Sequence, residues 1–177
     1  MTGVDLSRTN IAFASQFENQ KLKFFVHDMR DVFRPEGFDF ILNLFTSFGY
    51  LDTKEANFGV IDAVKQNLRR GGRFLLDFLN PYVVINNLVD CEEKVIGGVS
   101  FKINREYTGD DYFLKKIEVH DNGDIFHFME RVKAIRRTEF LEYFELVGLK
   151  VLNIFGDYHL NQYKMDQSER LILLVEK

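Results

Sequence analysis

The chain has 177 residues, of which 46% are apolar and 28% charged, a composition typical of one globular domain with a single core. Its 23 basic and 27 acidic side chains give a net charge of −4, and no dense Lys/Arg block could follow a phosphate backbone, so we expect no nucleic-acid partner. Cys91 is the single cysteine, which excludes an internal disulfide and a thiolate metal cage. Apolar runs are too short for a membrane helix, and no signal peptide is recognisable, so we expect a cytoplasmic protein without a membrane partner.

Strands and helices alternate over the first 80 residues. Apolar runs predict strands at residues 2–5, 23–27, 38–45 and 73–79. Ser7 stands at a helix N-cap position, and apolar residues at helical spacing predict a second helix from Ala56 to Leu68, which Gly71 and Gly72 end. This alternation predicts an α/β fold in which helices cover both faces of a parallel sheet.

The pattern changes after residue 80. Three longer strands are predicted at 95–107, 112–120 and 125–135, with Gly97 and Gly98 inside the first and Asn122-Gly123 in the second hairpin turn. A helix from an N-cap at Thr138 to Gly148 and strands at 151–155 and 171–175 complete the chain. We therefore expect one domain over residues 1–177, made of a core half (1–80), an antiparallel insert (94–137) and a C-terminal helix with closing strands (138–177).

Four motifs, in order and in register, resemble those of class I S-adenosylmethionine-dependent methyltransferases. They are Gly3-Val4-Asp5-Leu6-Ser7, Val26-His27-Asp28-Met29-Arg30-Asp31, and the segments 38–50 and 68–74. The resemblance implies a Rossmann-like, mostly parallel sheet flanked by helices, with a three-stranded antiparallel β insert. It also implies S-adenosylmethionine as cofactor and methyl transfer to a small-molecule acceptor.

The resemblance also assigns a cofactor site at the carboxyl ends of the strands, where ligands of open parallel sheets bind. The Asp5 carboxylate would accept the ribose hydroxyls, and Asp28 with the Met29 backbone would read the adenine edge. Asn43 and Leu44 would line the methionine side of the cofactor. The expected cofactor-binding residues are Asp5, Leu6, Asp28, Met29, Asn43, Leu44 and Phe45.

The insert is expected to act as a lid that supplies most of the acceptor pocket. The candidate substrate residues are Phe48, Tyr50, Asn80, Tyr82, Arg105, Tyr107 and Tyr158. Arg105, Tyr107 and Arg131 would suit an anionic or aromatic molecule. The chemistry needs no fixed base, so no catalytic residue is assigned. His120 and His127 do not reach metal-ligand spacing with a Cys or a close acid pair, so no metal is predicted.

One part of the family pattern has no counterpart in the sequence. A strand, a glycine-rich loop and a helix are expected before Asp5, but Met1 stands only four residues before it. We therefore expect the first strand and helix to be missing. Three explanations are open: a truncated chain that starts at an internal methionine, a strand borrowed from another chain, or a natural remnant that binds no cofactor.

Three functions follow from these alternatives. The first is a methyltransferase, and the second is a catalytically inactive binding or scaffolding module. A nicotinamide dinucleotide enzyme is a third, but it does not account for the segment 46–50. Exposed strand edges associate readily, so we also expect a homodimer.

Overall fold

A computed structural model describes all 177 residues, which form ten strands and four helices joined by loops. The strands are β1 (Thr2–Asp5), β2 (Lys23–Val26), β3 (Phe38–Asn43), β4 (Leu68–Leu79), β5 (Cys91–Ile96), β6 (Val99–Tyr107), β7 (Tyr112–Asp121), β8 (Asp124–Lys133), β9 (Lys150–Phe155) and β10 (Arg170–Glu176). The helices are α1 (Arg8–Ser15), α2 (Lys54–Asn67), α3 (Pro81–Asn86) and α4 (Arg137–Val147). None of the helices is long and apolar enough to cross a bilayer. The chain has an α/β fold with mixed strand directions.

The largest core is built on a mixed sheet with the strand order β3-β4-β10-β9. β3 runs parallel to β4, whereas β10 runs antiparallel to both β4 and β9. The prediction of a mostly parallel sheet is therefore wrong for this part of the chain. Residues 156–169 contain no crossover helix, so the chain reverses direction between β9 and β10, as an antiparallel pair allows.

The first two strands form a separate sheet. β1 pairs in parallel with β2 alone, and β3 has β4 as its only partner, so β1 and β3 each have one side without a strand partner. Val4 of β1 and both Phe40 and Leu42 of β3 are exposed. These edges carry apolar side chains that no strand of the chain covers.

Aromatic side chains fill the space between the mixed sheet and its helices. In α4, Phe140, Phe144 and Val147 recur at helical spacing and are buried. The Phe140 ring lies 5.2 Å from the Phe78 ring of β4 and 6.4 Å from that of Phe144, as measured between centroids. Phe needs no polar partner when buried, which accounts for the use of Phe as the main aromatic of this core.

The start of α4 differs from its predicted start. The N-cap is Arg136 and not Thr138, because the Glu139 side chain accepts a hydrogen bond from the Arg136 backbone N–H at 3.1 Å. This glutamate satisfies a backbone donor that has no partner inside the helix. Gly148 ends α4 with a φ of 77°, a left-handed conformation that favours glycine.

The insert is a four-stranded antiparallel sheet with the order β5-β6-β7-β8, where three strands were expected. Gly97 and Gly98 have φ values of 59° and 87°, so they turn the chain and divide the predicted first strand into β5 and β6. Asn122 and Gly123 turn the chain between β7 and β8 with φ values of 49° and 93°.

Candidate functional site

Three polar side chains stand at or just after the carboxyl ends of β1, β2 and β3. Asp5 closes β1, Asp28 follows β2 by two residues, and Asn43 closes β3. Because β1 runs parallel to β2, Asp5 and Asp28 lie at the same edge of their sheet.

The Asp5 carboxylate is exposed, and only one of its two oxygens has a hydrogen-bond partner. Its Oδ1 accepts a hydrogen bond from the Ser7 backbone N–H at 2.7 Å, and Oδ2 has no partner in the chain. Ser7 in turn accepts from the Asn10 N–H at 3.2 Å and caps α1. The turn therefore holds Asp5 in place and leaves one oxygen free for a hydroxyl donor, with the exposed side chain of Leu6 beside it.

The Asp28 carboxylate is hydrogen-bonded to Arg30 of the same loop. Its carboxylate accepts hydrogen bonds from the Arg30 backbone N–H at 2.9 Å and from the Arg30 guanidinium Nη2 at 2.5 Å. These bonds from Arg30 lower the pKa of Asp28 from 3.8 to about 2, so the carboxylate is charged at neutral pH. The Met29 side chain is exposed between them. A ligand amino group would share Asp28 with Arg30.

The segment after β3 has an unusual backbone. Phe45 and Thr46 have φ values of 57° and 60°, a left-handed conformation that side chains other than glycine rarely adopt. The Phe45 side chain is exposed, and Leu44 lies half-buried before it. The Asn43 Oδ1 is buried without a hydrogen-bond partner. A buried acceptor without a partner costs free energy, which makes Asn43 a candidate for contact with a ligand.

A buried aspartate of β4 holds this strained turn, and the motif analysis missed it. Asp77 is 1% exposed, and its Oδ2 accepts hydrogen bonds from the Phe45 N–H at 2.8 Å and the Tyr158 hydroxyl at 3.0 Å. Its Oδ1 accepts from the Arg170 Nε at 2.8 Å, and Arg170 also donates to the Thr46 Oγ1 at 3.0 Å. An acid inside the apolar stretch 74–79 is the sequence signal that could have revealed it.

A cavity of about 240 Å³ lies beside this turn, between the 45–50 segment, α3 and the insert. Two of the predicted substrate residues, Tyr50 and Arg105, line it. Arg105 is paired with Glu92 at 2.7 Å, so its charge is already compensated. Burial, aided by the Glu130 carboxylate, raises the pKa of Tyr50 and keeps the phenol neutral. The lining residues are Phe45, Thr46, Tyr50, Leu79, Val84, Leu88, Arg105, Glu106, Phe113, Leu114, Lys115, Glu130 and Val132.

Two predicted substrate residues belong to the protein interior instead. Phe48 is buried, with its ring centroid 5.4 Å from that of Phe140, so it is part of the core and offers no surface to an acceptor. Asn80 is fully buried, and its Nδ2 donates to the Met165 and Ser168 carbonyls at 2.9 and 2.7 Å. Asn80 therefore fastens the end of β4 to the segment before β10.

The remaining candidates lie outside the lining of the cavity. Tyr107 donates a hydrogen bond to Asp111, which also binds Arg136, and so joins the insert to the start of α4. Tyr82 is half-buried on α3. Tyr158 is exposed and packs edge-on against Phe45, with 6.4 Å between the ring centroids. It therefore borders the strand-end site without lining the cavity.

A larger depression of about 420 Å³ lies along β9. Its lining residues are Arg137, Leu152, Asn153, Ile154, Phe155, Leu160, Gln162 and Tyr163. None of the predicted site residues is among them. The smaller cavity is therefore the better candidate for chemistry.

Several solved structures of methyltransferases resemble this chain. An S-adenosylmethionine-dependent methyltransferase from Clostridium acetobutylicum is 20% identical over 99% of this chain and 74% of its own, with a TM-score of 0.82. CalS10, an amino pentose methyltransferase from Micromonospora echinaspora with bound S-adenosylmethionine, is 18% identical over 99% and 72%, with a TM-score of 0.71. The sugar N-methyltransferase KedS8 from a Streptoalloteichus species is 17% identical over 99% and 70%, with a TM-score of 0.76.

No family model and no curated protein matches the sequence. At these identities the structural likeness defines the fold. The chain has the fold of S-adenosylmethionine-dependent methyltransferases, as the strand-end motifs predicted.

Proposed function

We propose that this chain binds S-adenosylmethionine and takes part in methyl transfer to a small-molecule acceptor. The observation that carries the proposal is the set of strand-end groups: a half-free carboxylate at Asp5, a charged carboxylate at Asp28 and an unpartnered acceptor at Asn43. Such a set of hydrogen-bond acceptors, two of them charged, fits the hydroxyls, amino groups and cationic centre of that cofactor.

Each strand end has a distinct part in this proposal. The free Asp5 oxygen accepts the ribose hydroxyls, while Asp28 and the Met29 backbone bind the adenine edge. Asn43 and Leu44 lie on the methionine side, and Phe45 forms an apolar wall. When bound, the cofactor supplies a methyl group activated by a sulfonium. The protein residues hold the reactants in line and exclude water, which is the main requirement of such a displacement.

The acceptor is proposed to enter the cavity lined by Tyr50 and Arg105. Its volume of about 240 Å³ suits a molecule of sugar size. Arg105 is paired with Glu92, and Arg131 with Asp52, so these cations are not free for an anionic acceptor. Two of the similar structures act on an amino pentose or a sugar nitrogen, which supports a polar, uncharged or amine-bearing acceptor.

A second candidate is a catalytically inactive binding module with the same fold. It is favoured by the engagement of Asp28 with Arg30, which competes with the adenine amino group, and by the unpaired edges of β1 and β3. In that case the strand ends would serve only to shape the surface.

Calorimetric titration with S-adenosylhomocysteine separates the two candidates. Asp5→Asn keeps the oxygen that accepts from Ser7 and removes the charge that would bind the ribose. Loss of a charged hydrogen bond of about 1.5–3 kcal/mol predicts affinity reduced by about 10- to 100-fold. Glu145→Ala, which removes an exposed carboxylate on α4 that has no side-chain hydrogen bond, is the matched control and should bind like wild type. Absence of binding to the folded wild-type chain would favour the inactive module.

A further inference from the structure

Two consecutive non-glycine residues next to the proposed cofactor site have a strained backbone. Phe45 and Thr46, which we call the strand-end turn, have φ values of 57° and 60°. They directly follow Asn43 and Leu44 of the proposed cofactor site, and both line the cavity proposed for the acceptor. The strand-end turn therefore borders both sites, and a change in its backbone would move a wall of each.

Side-chain burial does not hold the strand-end turn in this conformation. The Phe45 side chain is 76% exposed, so little apolar burial offsets the free-energy cost of its left-handed backbone. Glycine would adopt the same φ without that cost. Strained residues of this kind persist only where the surrounding structure fixes them, and they cluster at active sites and ligand contacts. The question is therefore what fixes this turn.

Hydrogen bonds from two other strands fix the strand-end turn. The Asp77 Oδ2 accepts from the Phe45 N–H at 2.8 Å, and the Asp77 carbonyl accepts from the Thr46 N–H at 3.1 Å. The Thr46 Oγ1 accepts from the Leu79 N–H at 3.1 Å and from the Arg170 Nη2 at 3.0 Å. Asp77 and Leu79 belong to β4 and Arg170 to β10, so the turn is joined to the two central strands of the mixed sheet.

The Asp77 carboxylate also holds an aromatic ring beside the turn. Its Oδ2 accepts from the Tyr158 hydroxyl at 3.0 Å, and the Tyr158 ring lies edge-on to the Phe45 ring, with 6.4 Å between the centroids. The two residues are 59% and 76% exposed. Two exposed rings that are both held by one buried carboxylate form a fixed apolar surface beside the strand ends, which suits contact with a ligand.

The burial of this carboxylate is not explained by stability alone. Asp77 is 1% exposed, and Arg170 compensates its charge by donating from Nε at 2.8 Å. A buried ion pair is often no more stabilising than well-packed apolar residues of similar volume. This pair also fixes one geometry, because Asp77 and Arg170 each bind the other and the strand-end turn at the same time.

We propose that Asp77 is a positioning residue for the proposed cofactor site. Together with Arg170 it fixes the strand-end turn, and it holds the Phe45 and Tyr158 rings as a wall against which the cofactor packs. Asp77 acts through the turn, since its own side chain is buried. The inference rests on the proposed function, because it gives this hydrogen-bond network a part in cofactor binding.

Calorimetric titration with S-adenosylhomocysteine tests this role in variants whose unfolding free energy is also measured. Asp77→Asn keeps the size of the side chain and an acceptor for the Phe45 N–H, but it removes the charge that binds Arg170. We expect the Kd for S-adenosylhomocysteine to rise at least about fivefold, because binding must then order the turn.

A double variant keeps the test valid if the single variant does not fold. Asp77→Asn combined with Arg170→Gln leaves no unpaired buried charge, so it should fold. Glutamine is too short to bind position 77 and Thr46 together, so the Kd should rise as in the single variant.

Two controls separate the positioning of the turn from changes in charge and in stability. Asp39→Asn removes the same charge from an exposed site on β3, where Asp39 pairs with Arg69 at 3.0 Å. Val147→Ala destabilises the core from α4, which carries none of the bonds to the turn. Both controls should bind S-adenosylhomocysteine with the wild-type Kd.

Three results would overturn the proposal: a wild-type Kd in the Asp77 variants, an equal rise in Asp39→Asn, or an equal rise in Val147→Ala. If the folded wild-type chain binds no S-adenosylhomocysteine, the proposed function fails, and this inference fails with it. If the wild type binds and the Asp77 variants bind equally well, only the positioning role fails. The two failures are therefore distinguishable.

Discussion

The strand-end site and the insert sheet are stabilised in different ways. At the strand ends, the buried Asp77 ties the left-handed Phe45 and Thr46 to Arg170 through hydrogen bonds across three elements. The insert is joined by its own backbone ladders and by partly exposed ion pairs such as Lys115 with Glu130. The turn at the strand ends is thus held by buried hydrogen bonds. The insert is held by backbone pairing and by ion pairs that solvent reaches.

This difference indicates where the chain tolerates change. A buried hydrogen-bonded charge fixes a single geometry, because loss of one partner leaves the other unsatisfied in a low dielectric. An exposed sheet face accepts substitution at small cost to the monomer, so its sequence is free to serve an acceptor or a second chain. The largest energetic contrast is expected between a phenylalanine of the main core and one of the insert sheet.

Phe140→Ala should destabilise the chain far more than Phe128→Ala. Phe140 is fully buried against Phe78 and Phe144, so its removal leaves a cavity that costs about 3–5 kcal/mol. Phe128 is more than half exposed, and its removal should cost less than about 1 kcal/mol in the monomer. Urea unfolding at low protein concentration measures both. Equal losses would mean that Phe128 is covered within one chain.

Asp77→Ala is the next largest change. It leaves the Arg170 guanidinium, only 19% exposed, without its partner and frees the Phe45 turn, so we expect a loss of about 3 kcal/mol in unfolding free energy. Asp39→Ala removes an exposed partner of Arg69 and is the matched control, with an expected loss within about 1 kcal/mol of zero. If the two substitutions change the unfolding free energy by the same amount, Asp77 does not support this turn.

The smallest predicted effect is a pKa change at Asp28. Its folded pKa of about 2 lies below the ordinary 3.8, so the ion pair with Arg30 stabilises the fold above pH 4, and this contribution is lost as the pH falls toward 2. Arg30→Ala should return the pKa toward 3.8, as followed by NMR titration of the carboxyl carbon. Arg8→Ala, which removes an exposed arginine without an ion pair, should leave the Asp28 titration unchanged. An unshifted pKa in Arg30→Ala would contradict the assigned cause.

Local sequence signals were sufficient to predict several features of the secondary structure. The acid at the end of the first apolar run predicted the end of β1 at Asp5, and Gly148 predicted the end of α4. The apolar run 38–45 predicted a third strand two residues longer than β3, which ends at Asn43. Such signals work because strand burial, helix capping and left-handed turns depend on a few neighbouring residues. The division of β5 from β6 was missed because Gly97 and Gly98 lie between apolar residues that suit one continuous strand.

The sequence by itself determined the α/β class and the presence of an antiparallel region. It also determined the strand-end motifs that resemble those of methyltransferases. Only the tertiary structure decided that β10 enters between β4 and β9, that Phe48 packs into the core, and that Asp77 supports the turn at Phe45. The partners that decide these features are remote in the chain, as with Asp77 and Arg170, which are 93 residues apart. Local propensity carries no information about such pairs, because they meet only when the core forms and removes both from water.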